Sequence, residues 1–516
     1  MKNIKSIYII SGYCLLGLAL SLFLLKHGYF MWWDSIYYAT LGKNLITGMG
    51  YTFVGEPHLW FPPFYPVLVG IFYVLMGNLE LASHAVSIIS FLTAIIFFFK
   101  LANLIYSKTA AHIATFLFVT NGLILSYSHQ ALTHSVDIML IVFALYLSGI
   151  IIKNEKLRYK DFALLGVVLA AAVLNRPENI ILFLFITATL FILKRRETAR
   201  KVFSFLCLFA VLSTFLFPYA KFLHSHTGKW TLTTKTINLA VCDYVYSKKH
   251  TWEYGIDFSK FNIIEYVKAD RSNLSRRYLM GVFICFKMLS AFLYYGVGYI
   301  FIGIGLFGGI RNKDRDRLKI DLLLCASLVY LLFLPLSNFR DRYFLFCMPA
   351  FLLLMAKGLE DVYVFIKNSL SLSEREKTLS ILAALILLTL PAVYFSTKYI
   401  ESGDPFKGYK EMGLWMRNNI EGIENKRVFT SGNDPHIAFY SGCHHITVPL
   451  DQKIKLGIIG YLKTKGCDYL VVIEHENHLE RNPSLKPFLD TQKEHKNLIR
   501  IHTIDLPIKL VLYKIK

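Results

Sequence analysis

Apolar runs long enough to cross a bilayer recur along the whole chain, and basic residues gather in the connectors between them. A run from Ile7 to Leu25 opens the series. A helix of about 20 predominantly apolar residues spans a hydrocarbon core. Further runs lie at His84–Leu104, Ala110–Tyr127, Ile138–Ile152, Phe162–Leu174, Ile180–Leu193, Val202–Tyr219, Leu289–Gly309, Leu322–Leu336, Phe344–Ala356 and Leu379–Phe395. The fold class expected is a polytopic α-helical membrane protein of about eleven spans. With 55% hydrophobic and only 18% charged residues in 516, a wholly soluble chain is excluded. Val67–Met76 is left out of the count. It is short and follows Phe61-Pro62-Pro63-Phe64-Tyr65-Pro66, and prolines interrupt helices. Counting it would invert every basic connector downstream, so a helix lying at the outer surface or dipping into it is expected.

The connectors fix an orientation. With the N-terminus inside, Lys100 and Lys108 fall on the inner side, as do Lys153, Lys156, Arg158 and Lys160. So do Lys194, Arg195, Arg196, Arg200 and Lys201, then Arg311, Lys313, Arg315, Arg317 and Lys319, then Lys367, Arg375 and Lys377. Positive loops remain cytoplasmic, so agreement across separate loops predicts a multi-pass protein of the cytoplasmic membrane. The same distribution explains the net charge of +21 without nucleic acid as a partner. Lys2 and Lys5 before the first run resemble a signal peptide, but no small-x-small cleavage site follows, and a retained span is expected. The outer side then receives loops 28–77 and 221–287 and everything after Ser396.

The tail differs in kind. Tyr409–Ile420 carries helical apolar spacing, Arg427–Thr430 reads as a strand, and Asp434–Tyr440 opens with an acid suited to capping a helix. His445–Leu450, Asp468–Ile473 and Ile508–Ile515 read as further strands. The division expected is a transmembrane domain over 1–397 and an exported α/β domain over 398–516, large enough for its own core. Eight cysteines show no metal-binding spacing. Cys14, Cys207, Cys285, Cys325 and Cys347 read as packing residues, whereas Cys443 and Cys467 can pair if the tail is exported.

Polar residues at the outer ends of the runs are the candidates for chemistry. Asp34 sits in Met31-Trp32-Trp33-Asp34-Ser35-Ile36-Tyr37-Tyr38, among aromatics typical of a membrane interface. It is either a solvated loop acid or a functional one. His134 and Asp137 lie three apart on one helix face. Either Thr133 or Ser135 caps that helix and its neighbours are solvated, or the pair belongs to a site that can include a divalent cation. Asn175-Arg176-Pro177-Glu178-Asn179 interrupts an apolar run, giving an internal Arg–Glu pair or an anion site. Arg340 and Arg342, followed by Tyr343, stand on the outer side against the inside bias and suit a phosphate. Lys221, His224, His226 and Lys229 add positive charge there. Walker, GxSxG and HExxH motifs are absent from the sequence.

Taken in order, Asp34, Gly48-Met49-Gly50-Tyr51-Thr52-Phe53, Phe61-Pro62-Pro63-Phe64-Tyr65-Pro66, Ala131-Leu132-Thr133, Asn175-Arg176-Pro177-Glu178 and Arg342-Tyr343 resemble the type-C membrane glycosyltransferases. Within these the chain resembles the bacterial branch related to protein O-mannosyltransferases and aminoarabinose transferases. The resemblance covers nearly the whole chain, including Asp434-Pro435-His436 and Asp468-Tyr469-Leu470-Val471-Val472 in the tail. It implies a sugar donor carried on a polyprenyl phosphate, used at the outer face, and a catalytic acid in the first outer loop, which maps to Asp34. One position departs: where members carry Glu or Asp after the Ala-Leu-Thr-like stretch, His134 stands here, with Asp137 one turn on.

Glycosyl transfer to a hydroxyl needs a base and cationic stabilisation of the departing phosphate. The expected assignment is Asp34 as base, Arg176, Arg340 and Arg342 on phosphate, and Glu178 and Tyr343 in support. The acceptor is a lipid, glycan or protein hydroxyl. Two other classes have different signatures. A transporter or lipid-linked sugar flippase would show paired repeats or mid-membrane acids, and neither is evident. An assembly protein would not need polar clusters at helix ends.

Overall fold

The computed structural model describes residues 2–27, 29–154, 156–194, 198–235, 271–311, 315–336, 340–369, 385–391, 405–432, 434–447, 457–474, 483–490, 495–505 and 508–516, with isolated positions at 268, 376, 379, 383, 393 and 394. The middle of the long outer loop, six of the seventeen residues of the last expected span (Leu379–Phe395), and basic residues Arg195, Arg196, Lys313, Arg375 and Lys377 therefore lie outside the described residues.

The chain opens with ten helices: α1 (Lys2–His27), α2 (Trp33–Ile46), α3 (Phe64–Met76), α4 (Leu79–Ile105), α5 (Lys108–Thr120), α6 (Gly122–Tyr127), α7 (His134–Lys153), α8 (Tyr159–Asn175), α9 (Asn179–Leu193) and α10 (Thr198–Thr227). A small hairpin, β1 (Thr52–Phe53) and β2 (Glu56–Pro57), joins α2 to α3. Among the described residues, α4, α7 and the apolar parts of α1 and α10 are each long enough to cross a membrane. The protein is a polytopic helical membrane protein. The spanning window of α7 is 78% buried and that of α1 only 17%, so α7 lies at the centre of the bundle and α1 at its lipid-facing edge.

Several runs read as single spans are broken, each for a local reason. Ala110–Tyr127 splits at Asn121, whose side-chain oxygen accepts from the Ile124 N–H at 3.2 Å and starts α6. Leu289–Gly309 is divided between α11 (Arg271–Phe292) and α12 (Val297–Arg311), bent by 92°. Tyr294, Tyr295 and Gly296 all take positive φ at that bend. Leu322–Leu336 continues α13 (Arg315–Ser327) only as 3-10 turns, the last containing Pro335. Phe344–Ala356 becomes a 3-10 turn, Asp341–Phe346, and then α14 (Met348–Ser369). Helix α3 forms where a surface or dipping helix was expected. It packs closely on α2, for a Cβ at Gly42 would fall 2.2 Å from the Pro66 carbonyl oxygen.

The tail builds a five-stranded sheet in the order β4-β3-β5-β7-β6. Its strands are β3 (Arg427–Thr430), β4 (His444–His445), β5 (Tyr469–Ile473), β6 (Leu498–Ile504) and β7 (Leu510–Ile515). Strands β4, β3 and β5 run parallel, and β7 pairs antiparallel with β5 and β6. Every residue of β5 is buried, as its unbroken apolar run requires for a central strand covered on both faces. Helices α15 (Pro405–Asn419) and α16 (His436–Ser441) cover one face, and α17 (Gly457–Thr464) the other. The described part of the expected His445–Leu450 strand contributes a single strand residue, His445. Cys443 and Cys467 are both free, so the possible pair is not formed. Burial raises their thiol pKa values to about 11 and about 12 respectively.

Candidate active site

Asp34 lies in the first turn of α2, where a helix N-terminus favours negative charge. Its Oδ2 receives a hydrogen bond from Arg342 Nη1 at 2.9 Å. The two side chains keep 27% and 31% exposure, so the pair sits at an accessible surface. The 3-10 turn Asp341–Phe346 delivers Arg342. That turn is fixed by Asp341, whose Oδ1 accepts from the Arg342 N–H and from the Tyr127 hydroxyl, both at 2.8 Å. The carboxylate beside Arg342 raises its pKa against the opposing effect of burial. Arg340 is exposed and forms no ion pair with the described residues, so the structure separates the two arginines that the sequence left equivalent.

Arg176 occupies the break between α8 and α9 and is buried at 7% exposure. Its guanidinium packs over the rings of Tyr343 and Phe346, 5.2 and 5.1 Å away. It pairs with Glu178 at 3.8 Å and donates to His134 Nδ1 at 2.9 Å. Accepting that bond requires a free lone pair on Nδ1, so His134 is neutral here. Asp137 does a different job. Its Oδ1 accepts from Asn179 at 2.6 Å and Asn175 at 3.3 Å, so it clamps the two residues flanking the break. Neither His134 nor Asp137 is solvated, and Thr133 makes no side-chain cap, which corrects the capping alternative. Ser135 instead donates to the Tyr127 carbonyl at 2.9 Å. Among the described residues no group of three His, Cys, Asp or Glu side chains gathers as a metal site.

The sequence reading missed Lys235. It lies over the Phe61 ring at 4.9 Å and interacts with the charges of Glu178, Asp34, Arg176 and Arg342. Burial lowers its pKa. Burial alone would raise the Glu178 carboxyl, but Arg176 and Lys235 hold it below its ordinary range. Glu178 Oε2 is buried without a hydrogen-bond partner among the described residues. Lys235 was invisible in sequence because nothing in a 60-residue loop distinguishes one lysine from another.

The segment before Asp34 is held by the tail. The Met31 N–H donates to the Tyr440 hydroxyl at 2.9 Å, and Tyr440 donates onward to Glu80 Oε1 at 2.8 Å. His436 Nε2 bonds the Met31 carbonyl at 2.9 Å, while its Nδ1 faces Asp434. Lys410 bonds Glu80 at 2.9 Å and the Tyr29 carbonyl at 2.9 Å. Glu80, His436, Tyr440 and Asp434 are all buried, so the sheet is docked onto the helical part through a satisfied polar network.

Residues 61–219 match the family model described as dolichyl-phosphate-mannose-protein mannosyltransferase. That stretch carries His134, Asp137, Arg176 and Glu178, whereas Asp34, Arg340 and Arg342 lie outside it. ArnT from Cupriavidus metallidurans, solved bound to undecaprenyl phosphate, is similar with a TM-score of 0.60 at 12% identity, over 98% of this chain and 97% of that one. The archaeal oligosaccharyltransferase AglB from Archaeoglobus fulgidus, in complex with an inhibitory peptide and a dolichol-phosphate, gives 0.59 at 14% identity, over 91% of this chain and 69% of that one. The chain has the fold of these membrane glycosyltransferases, the type-C fold. No curated protein sequence matches it. The resemblance read from the motifs therefore stands, and the type-C fold brings Asp34, Arg176 and Arg342 to one place from three distant parts of the chain.

Proposed function

We propose that this protein transfers a sugar from a polyprenyl-phosphate donor to an acceptor hydroxyl at the outer face of the cytoplasmic membrane. The observation that carries the reading is the Asp34–Arg342 contact beside Arg176, Glu178 and Lys235: one accessible carboxylate among three cations. Arg342, Arg176 and Lys235 together suit the phosphate of the donor. Binding of that phosphate to Arg342 competes with Asp34 and frees the carboxylate. Asp34 then takes the proton of the acceptor hydroxyl as its oxygen attacks the anomeric carbon. The bond from that carbon to the phosphate oxygen breaks, and its electron pair leaves on the polyprenyl phosphate. The unpartnered Glu178 oxygen is suited to accept from a donor sugar hydroxyl. His134 and Asp137 act by holding Arg176 and the break that carries it. The solved complexes of ArnT with undecaprenyl phosphate and AglB with a dolichol-phosphate support a donor of this class.

The test is chemical. Cells lacking the protein should accumulate one polyprenyl-phosphate-linked sugar, identifiable by mass spectrometry of extracted lipids, and restoring the gene should remove it. An unchanged lipid-linked sugar pool would refute the assignment.

A further inference from the structure

A cavity of about 1110 Å³ lies between α2 and the C-terminal sheet, just above the size range of small-molecule sites. Lys43, Arg427 and Lys465 line it, with Phe53, Phe439 and Tyr461 among its aromatic walls. No acidic side chain lines it among the described residues. Asp468, three residues after Lys465, accepts from the Arg427 backbone N–H at 2.9 Å and faces Lys426 at 3.9 Å. Three cations with no acid among the described lining residues, in a concave space with aromatic faces, form a field for an anionic ligand whose body is ring-shaped. The walls are set by the buried contacts of His436 and Tyr440 with Met31, so they are fixed relative to each other.

The cavity is distinct from the Asp34 cluster but shares its helix. Ile36, Thr40 and Lys43 follow one another at helical spacing along one face of α2, and all three line the cavity. Tyr38, on another face, interacts with Asp34, Arg176 and Arg342. From Asp34 to Lys43 the helix rises ~14 Å, a distance that an acceptor of several sugar units can cover. We infer that the cavity binds the acceptor, and that the acceptor is an anionic saccharide bearing carboxylate or phosphate groups. This inference rests on the proposed transfer only for calling the ligand an acceptor.

Calorimetric titration of the purified full-length protein in detergent tests it without requiring turnover. Tetragalacturonate is the anionic saccharide probe, and maltotetraose its neutral counterpart. Inorganic phosphate and undecaprenyl phosphate represent an ion alone and a lipid headgroup. Tetragalacturonate should bind, and the Lys43→Gln/Lys465→Gln double variant should weaken it about tenfold or more. Maltotetraose should bind at least about tenfold more weakly than tetragalacturonate. Undecaprenyl phosphate should bind parent and double variant alike, and inorganic phosphate should bind more weakly than tetragalacturonate. Equal tetragalacturonate affinity in parent and double variant would overturn the inference, as would equal affinity for maltotetraose or for phosphate. Loss of undecaprenyl phosphate binding in the double variant would also overturn it, by making the cavity part of the donor site. A failure of the transfer reaction leaves these titrations unaffected, so the two readings fail separately.

Discussion

Replacing Arg342 by lysine separates a phosphate ligand from a surface ion-pair partner. Lysine retains the positive charge and loses the planar fork. One Nη1 hydrogen bond of Arg342 goes to Asp34 at 2.9 Å, which leaves four of the five guanidinium N–H donors for a ligand. If the fork holds the donor phosphate, the substitution removes at least one charge-assisted hydrogen bond, about 1.5–3 kcal/mol. That is roughly 10- to 150-fold in affinity. If Arg342 serves only as a partner for Asp34, the pair is partly exposed and contributes about 0.2–1 kcal/mol, less than about fivefold. The measurement is undecaprenyl phosphate binding to purified protein in detergent, with thermal unfolding to show that the variant is folded. Arg340→Lys is the control, since Arg340 is exposed on the same segment and should bind like the parent. A folded Arg342→Lys protein within about threefold of the parent would refute the phosphate assignment.

Three further outcomes are expected. Tyr440→Phe leaves the buried Met31 N–H without its partner and Glu80 Oε1 with Lys410 alone, so stability should fall by about 1–3 kcal/mol, and an unchanged unfolding temperature would contradict the docking described. His58 has its pKa lowered to about 4 by burial and by Lys235, so its contribution is complete above the unfolded value near 6.5 and is lost as pH falls from there towards about 4. A His58→Gln protein should therefore show a flatter loss of thermal stability over that window, and identical pH profiles would refute this. Reporter fusions at Lys313 and Lys516 should fall on opposite sides of the membrane, whereas the same side for both would sink the proposed orientation.

The helical membrane class was legible because hydrophobicity and charge are local properties that a bilayer reads segment by segment. Helix breaks were harder to see. Asn121 and Tyr294–Gly296 interrupt runs whose average hydropathy is undisturbed, and only tertiary partners such as the Phe292 carbonyl reveal why. Strand β6 escaped notice because it is an edge strand with a single buried residue and a bulge between Arg500 and His502. In the site, Asp34 and Arg342 were named from type and position, yet their pairing across 308 residues is a property of the fold. Asp137 accepts from Asn175 and Asn179, a contact with a distant loop that spacing along one helix does not reveal.

The claim that Asp34 is the base is tested most directly by single-turnover transfer with purified Asp34→Asn protein. Asparagine keeps the shape and removes the basicity. General-base catalysis contributes about 10²–10⁴-fold, so the transfer rate should fall by that factor, or about 3–5 kcal/mol. Donor binding should persist, because Arg342 is then released from its carboxylate partner. Transfer at close to the parental rate with the donor bound would contradict the account and return Asp34 to the role of an interfacial charge.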